Sequence, residues 1–174
     1  MSAPEPGEAA YAAPEDPADV TATFCATLVD EWVRCGITDA VVSPGSRSTP
    51  MALALAAHGD LTVHVHHDER AAGFIALGIG SATGRPSLVL TTSGTAAVEL
   101  HPAVVEAHQA GVAMIVLTAD RPPELRGVGA PQTVDQVHLY GRAVRWFADP
   151  GVPEGGTWST WRGADPPDAC SVDP

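Results

Sequence analysis

LTVHVHHDERAAGFIALGIGSATGRPSLVLTTSGTAAVEL, residues 61–100, is the stretch whose reading decides the fold. It opens on LTVHV, 61–65, a short strand pattern, and passes through HHDER into a run from Ala71 to Gly80 without a single charge. Asp68 is a good N-cap and Glu69 a good first-turn residue beside the helix dipole, so 68–82 reads as a helix. SLVLTT, 87–92, is a continuous apolar strand, and the turn SGT leads into a further helix reaching His108. Strand, helix, strand and helix in that order, with apolar strands, is the pattern of a parallel sheet covered on both faces.

The same grammar extends outward in both directions. Upstream, Asp19 can cap a helix in which Phe24, Leu28, Val29, Trp32 and Val33 recur at helical spacing, with Gly36 as its stop. AVVS, 40–43, is a strand, PGSRS a turn, and 49–58 a second helix. Downstream, MIVLT, 114–118, is a fourth strand; 133–141 reads as a short helix and AVRWF, 143–147, as a last strand. The expected fold class is α/β, a doubly wound and mainly parallel sheet with right-handed crossovers. PGSRS, HHDER, TSGT and ADRPPEL all follow strands, so they should gather at the carboxyl edge of the sheet, where ligands bind in such folds.

Composition narrows the function classes. The chain has 174 residues and a net charge of −12. Residues 1–19 hold five acids and no base; residues 149–174 hold five acids and one Arg; residues 20–148 hold 11 acids and 8 Arg. The expected division is an acidic disordered leader over 1–19, an α/β domain over 20–148 and a linker-like tail over 149–174. No basic stripe is present to meet nucleic acid. No apolar run approaches the roughly 18 residues of a membrane span. The first residues lack the basic and apolar regions of a signal peptide. Three cysteines without a CxxC fit a reduced, cytoplasmic setting.

Two tempting motifs fail on their chemistry. GIGSATG, 78–84, has its third glycine one residue late for a dinucleotide loop and ends a helix instead of following a strand. His64, His66 and His67 have no carboxylate or thiol at metal-site spacing, so hydrogen-bonded or solvated histidines at a strand end are the better reading. The strand-end loops hold more promise. In PGSRS, Ser46 and Ser48 can donate and Arg47 presents a planar fork to a carboxylate or phosphate. TSGT can offer backbone amides to a polar ligand or be an ordinary cap. Arg121 can bind a ligand or a neighbouring loop carboxylate. On its own, Glu69 reads as a helix starter before it reads as a catalyst.

Taken together and in order, SPGSRSTP, DERAAGFIALGIG, TTSGTAAVELHPAVVEA and LTADRPPELRGVGAPQT resemble the N-terminal, pyrimidine-binding domain of the 2-succinyl-5-enolpyruvyl-6-hydroxy-3-cyclohexene-1-carboxylate synthase family. The resemblance covers about residues 20–160. It implies a thiamine diphosphate-dependent transferase of menaquinone biosynthesis that decarboxylates 2-oxoglutarate and adds the resulting succinyl-semialdehyde carbanion to isochorismate. Magnesium holds the diphosphate in this family, through a GDG…N motif on a downstream domain, so no metal ligand is expected in this chain. The resemblance makes Glu69 the catalytic partner of the aminopyrimidine ring nitrogen, and places Thr95 at the cofactor edge. Ser46, Arg47, Arg121 and Gln132 match positions that bind substrate carboxylates. Family members form homodimers or larger homo-oligomers, each cofactor bridging two chains.

Family members are much longer than this chain. WSTWR still resembles family sequence, whereas GADPPDACSVDP does not, which suggests a truncated or frameshifted product that is inactive alone. Two rival readings are a pyrimidine-domain subunit of a two-chain thiamine diphosphate decarboxylase, and a non-catalytic binding fragment.

Overall fold

The computed structural model describes residues 16–153. Most of the expected leader and tail, including WSTWR and the last twelve residues, therefore lies outside the described residues. Four parallel strands form one sheet: β1 (Asp39–Val42), β2 (Thr62–Val65), β3 (Ser87–Thr91) and β4 (Met114–Thr118), in the order β2-β1-β3-β4. The helices are α1 (Pro17–Arg34), α2 (Thr49–Ala57), α3 (Glu69–Thr83), α4 (Thr95–Glu99) and α5 (His101–Ala110).

Strand side chains alternate between the two faces, which is how one short sheet supports two cores. Ala40, Val42, Leu88 and Leu90 pack with Val29 of α1 and Leu55 of α2. Val41 and Val89 pack on the opposite face with Ala72 and Ala76 of α3 and with Leu100 and Val104. β3 is buried at all five positions because it is central and covered on both sides. The fold is thus doubly wound α/β, as the strand–helix alternation implied. No helix among the described residues is long and apolar enough to cross a membrane.

Four expectations need correction. The first helix is capped by Asp16, whose Oδ1 accepts the Ala18 N–H at 2.9 Å. Asp19 falls in the first turn instead, because the fixed φ of Pro17 suits the opening position of a helix. The helix expected from SGT to His108 is two helices. Pro102 has no N–H to return to the Val98 carbonyl, so the chain breaks at Leu100, which fills the core there.

Residues 133–140 form an irregular loop and turns, not an α-helix, and Gly141 opens a single 3-10 turn, Gly141–Ala143. His138 stands at φ +54°, outside helical space, and the Gln136 side chain is held away towards β3 and β4. AVRWF is not a strand either. Tyr140, Ala143 and Val144 pack down on the α3/α5 face of the sheet, which removes this segment from the slot beside β4. Trp146 is left 80% exposed, and Phe147 rests on His138 with ring centroids 4.4 Å apart.

Burial pushes the Tyr140 hydroxyl well above its usual range; it donates to the Ala97 carbonyl at 2.7 Å. Tyr140→Phe should therefore lower unfolding stability by about 1 kcal/mol, the net worth of one such bond, in urea denaturation with an unchanged m-value.

Candidate functional site

Because all four strands run the same way, the loops after them share one edge. The strand order makes the gap between β1 and β3 the point where the winding reverses, since β2 lies outside β1 and β4 outside β3. The loops are tied tightly there. Ser43 N–H donates to the Leu90 carbonyl and its Oγ to the His66 carbonyl. Gly45 lies against Thr92 so closely that a β-carbon at Gly45 would overlap the Thr92 β-carbon.

Beside this junction lies an open cleft of about 580 Å³, walled by Glu69, Thr92, Ser93, Thr95, Glu99 and Gln132. Glu69 is half-buried in the first turn of α3. Capping there is done by its neighbour: Asp68 Oδ1 accepts the N–H groups of Arg70 and Ala71 at 3.0 and 3.3 Å. The Glu69 carboxylate has no hydrogen-bond or ion-pair partner among the described residues, which leaves it available to a ligand.

The Arg70 guanidinium on Asp68, followed by the Ala71 N–H, draws the Asp68 carboxyl down to about 2. Its folded value lies below the ordinary carboxylate value of about 3.9. The capping contribution is therefore complete above that ordinary value and disappears as pH falls through about 2. In Arg70→Gln the Asp68 titration midpoint should move up towards the ordinary carboxylate value, read by NMR, while the Ala71 N–H bond keeps it from returning fully.

The TSGT turn forms the opposite wall. Arg47 Nη1 donates to Ser93 Oγ at 3.2 Å, and that hydroxyl donates to the Gln132 carbonyl at 2.9 Å. The Gln132 carboxamide returns a bond to the Ser93 carbonyl at 3.3 Å. Gly94 has φ +84° and ψ −142°, a backbone state that belongs to glycine, and an added β-carbon would stand 3.0 Å from Gln132 Cγ. Gln132 itself is held at φ +56°, an uncommon value for a residue with a side chain. Gly94→Ala is expected to cost about 1–3 kcal/mol in denaturant unfolding, from strain at that φ and from displacing Gln132.

Arg121 closes this wall from behind. Its Nη2 donates to the Pro131 carbonyl at 3.0 Å, immediately before Gln132, and its Nε is buried without a partner among the described residues. Arg126 braces the same loop: its Nε donates to the Arg121 carbonyl and it pairs with Asp120 and Asp149 at 3.1 and 2.9 Å. The Arg126 guanidinium holds the Asp149 carboxyl below its usual range.

Of the residues singled out from sequence, Glu69, Thr95 and Gln132 share the cleft. Arg47 joins it through Ser93, and Arg121 through Pro131. Ser46 is exposed in the 3-10 turn Ser46–Ser48, outside the lining. Ser93 and Gln136 escaped that reading. Ser93 was visible within TSGT, but a buried glutamine after a proline-rich loop leaves no periodic signal. His64 Nε2 meets Asp39 Oδ1 at 2.9 Å, and His66 Nδ1 accepts the Asp68 N–H. No cluster of three His, Cys, Asp or Glu able to hold a metal occurs among the described residues.

Comparison with known proteins supplies the family. Residues 22–139 match the model of the thiamine pyrophosphate enzyme N-terminal TPP binding domain. The chain belongs to that family. Among curated proteins it is 60% identical over 137 residues to the 2-succinyl-5-enolpyruvyl-6-hydroxy-3-cyclohexene-1-carboxylate synthase of Thermobifida fusca, covering 78% of this chain and 25% of the relative. The protein of the same name from Geobacillus kaustophilus is 55% identical over 137 residues, 79% of this chain and 24% of the relative. That of Halobacterium salinarum is 60% identical over 127 residues, 73% and 22%. The chain thus spans about a quarter of the length of the curated relatives it matches. The match covers the strand-end loops 43–48, 66–68 and 92–94, together with Gln132 and Gln136.

Proposed function

We propose that this chain supplies the pyrimidine-binding side of a 2-succinyl-5-enolpyruvyl-6-hydroxy-3-cyclohexene-1-carboxylate synthase site. The observation that carries the reading is the position of Glu69: half-buried, relieved of capping duty by Asp68, and facing a polar cleft at the winding reversal. The lining fits an aminopyrimidine ring. It offers a carboxylate on one wall and, at Thr92, a buried hydroxyl with no partner among the described residues. When bound, thiamine diphosphate would supply an acidic thiazolium carbon as the nucleophile for a 2-oxo acid.

The residues of this chain then divide the remaining work. Glu69 holds a proton at the pyrimidine ring nitrogen and hands it back and forth, the task of a general acid–base carboxyl. Thr95 borders the ring. Arg47, Arg121, Gln132 and Ser46 receive the carboxylates of 2-oxoglutarate and isochorismate. Planar guanidinium forks suit that task because they bind carboxylates through two parallel bonds. Magnesium and the diphosphate are held by residues other than those described, in an assembly of two chains in the cytoplasm.

Titration of the chain with thiamine diphosphate, followed by amide NMR, tests the reading. Shifts concentrated at Glu69, Thr95 and Gln132 are expected. Shifts confined to the opposite edge of the sheet, or none, would overturn it.

A further inference from the structure

The buried polar side chains among the described residues are serines and threonines, with Gln136 the exception. Burying a carboxamide is unfavourable unless its groups are paired, and here they are. Oε1 accepts the Gly94 N–H at 2.9 Å, and Nε2 donates to the Ala119 carbonyl at 3.0 Å and to Thr118 Oγ1 at 3.3 Å. Gly94 immediately precedes Thr95 on the cofactor wall. Ala119 leads into the loop that carries Arg121 and Gln132. One side chain therefore bridges the ends of β3 and β4.

The backbone at Gly94 needs such a brace. Its conformation is open to glycine alone, and Gly94 brings no side chain to hold the turn in place. Its N–H is fixed by Gln136, and on its other side it abuts Gln132. We infer that Gln136 is a positioning residue that sets the cofactor edge at Thr95 and the substrate-facing Gln132 in a common register. The inference rests on the thiamine diphosphate reading above. Without the carboxamide, a buried N–H, a carbonyl and a hydroxyl lose their partner together, and the Thr95 edge and the Gln132 loop stay tied only through the Ser93–Gln132 bonds.

The test pairs Gln136→Leu with Gln136→Glu in the full chain, using thiamine diphosphate as the probe and native-state hydrogen exchange as a separate readout. In Gln136→Leu, exchange at Gly94 should accelerate about tenfold, the equilibrium factor of one buried hydrogen bond, with Leu88 and Leu90 amides unchanged. The cofactor concentration needed for half-maximal shifts at Glu69 and Thr95 should rise about as much. Gln136→Glu keeps the acceptor for Gly94 but sets a carboxylate oxygen against the Ala119 carbonyl. Relative to the unsubstituted chain at each pH, it should bind poorly at neutrality and recover below about pH 5, where a protonated carboxyl regains a donor. Should Gln136→Leu fail to fold, this pH-dependent recovery decides alone, and its absence counts against the inference.

Unchanged Gly94 exchange would overturn the brace, and faster exchange with unaltered cofactor response would overturn its positioning role. If the unsubstituted chain shows no cofactor response while Gly94 exchange behaves as expected, the cofactor reading is what has failed, and the positioning role falls with it.

Discussion

Glu69→Gln is expected to reduce carboligation by about 10²–10⁴-fold, the usual contribution of a general acid–base group, once the chain is assembled with the remaining domains of a relative such as the Thermobifida fusca synthase. Proton exchange at the thiazolium carbon, followed by NMR in deuterium oxide, should slow in parallel, because an amide can bond the ring nitrogen but cannot exchange a proton with it. Stability should hardly change. The α3 N–H groups are capped by Asp68, and the Glu69 carboxylate bonds nothing among the described residues. The substitution therefore separates the two readings of this residue. A helix starter would show its loss in the unfolding curve, a proton partner in the rate. Normal carboligation by Glu69→Gln would sink the catalytic assignment.

Gly45→Ala is expected to destabilise the domain by about 1–3 kcal/mol, the range for inserting a methyl into a packed interior, with the upper end favoured here. Gly45 has extended backbone, φ −164°, so no conformational strain is involved. The cost is steric. A methyl at Gly45 would overlap Thr92 Cβ and stand 2.7 Å from its Cγ2. Thr92 is buried and β-branched, with little freedom to rotate away. Relief requires the β1 and β3 loops to part, which pulls Arg47 from Ser93. Urea denaturation measures the loss, and amide shifts at Ser93 and Gln132 report the separation. The double variant Gly45→Ala, Thr92→Gly should recover part of the stability through a favourable coupling term. Additive losses would show that the contact does not limit the fold.

Much of this molecule was legible without coordinates. β3 and β4 lie where their apolar runs lie, α3 starts one residue beyond its capping Asp68, and PGSRS, HHDER, TSGT and ADRPPEL meet at one edge. Local chemistry governs those features: a cap, a period, a turn residue. What misled were segments whose fate depends on distant partners. AVRWF has a strand's composition, yet Tyr140, Ala143 and Val144 find more burial on a helix-covered face than beside β4. Gln136 fell within the helix expected over 133–141, and its role emerged only where the ends of β3 and β4 supply three groups for its carboxamide.

Glu69 shows the same division at a single residue. Its sequence neighbours determined that a helix begins there, because Asp68 reaches the first free N–H groups from one position away. Family resemblance named its chemistry. Only the tertiary structure showed that Asp68 performs the capping alone, and that the freed carboxylate faces Thr95 and Gln132 across one cleft. Capping is settled within one turn of chain; a cleft exists only where the strand order brings separate loops together.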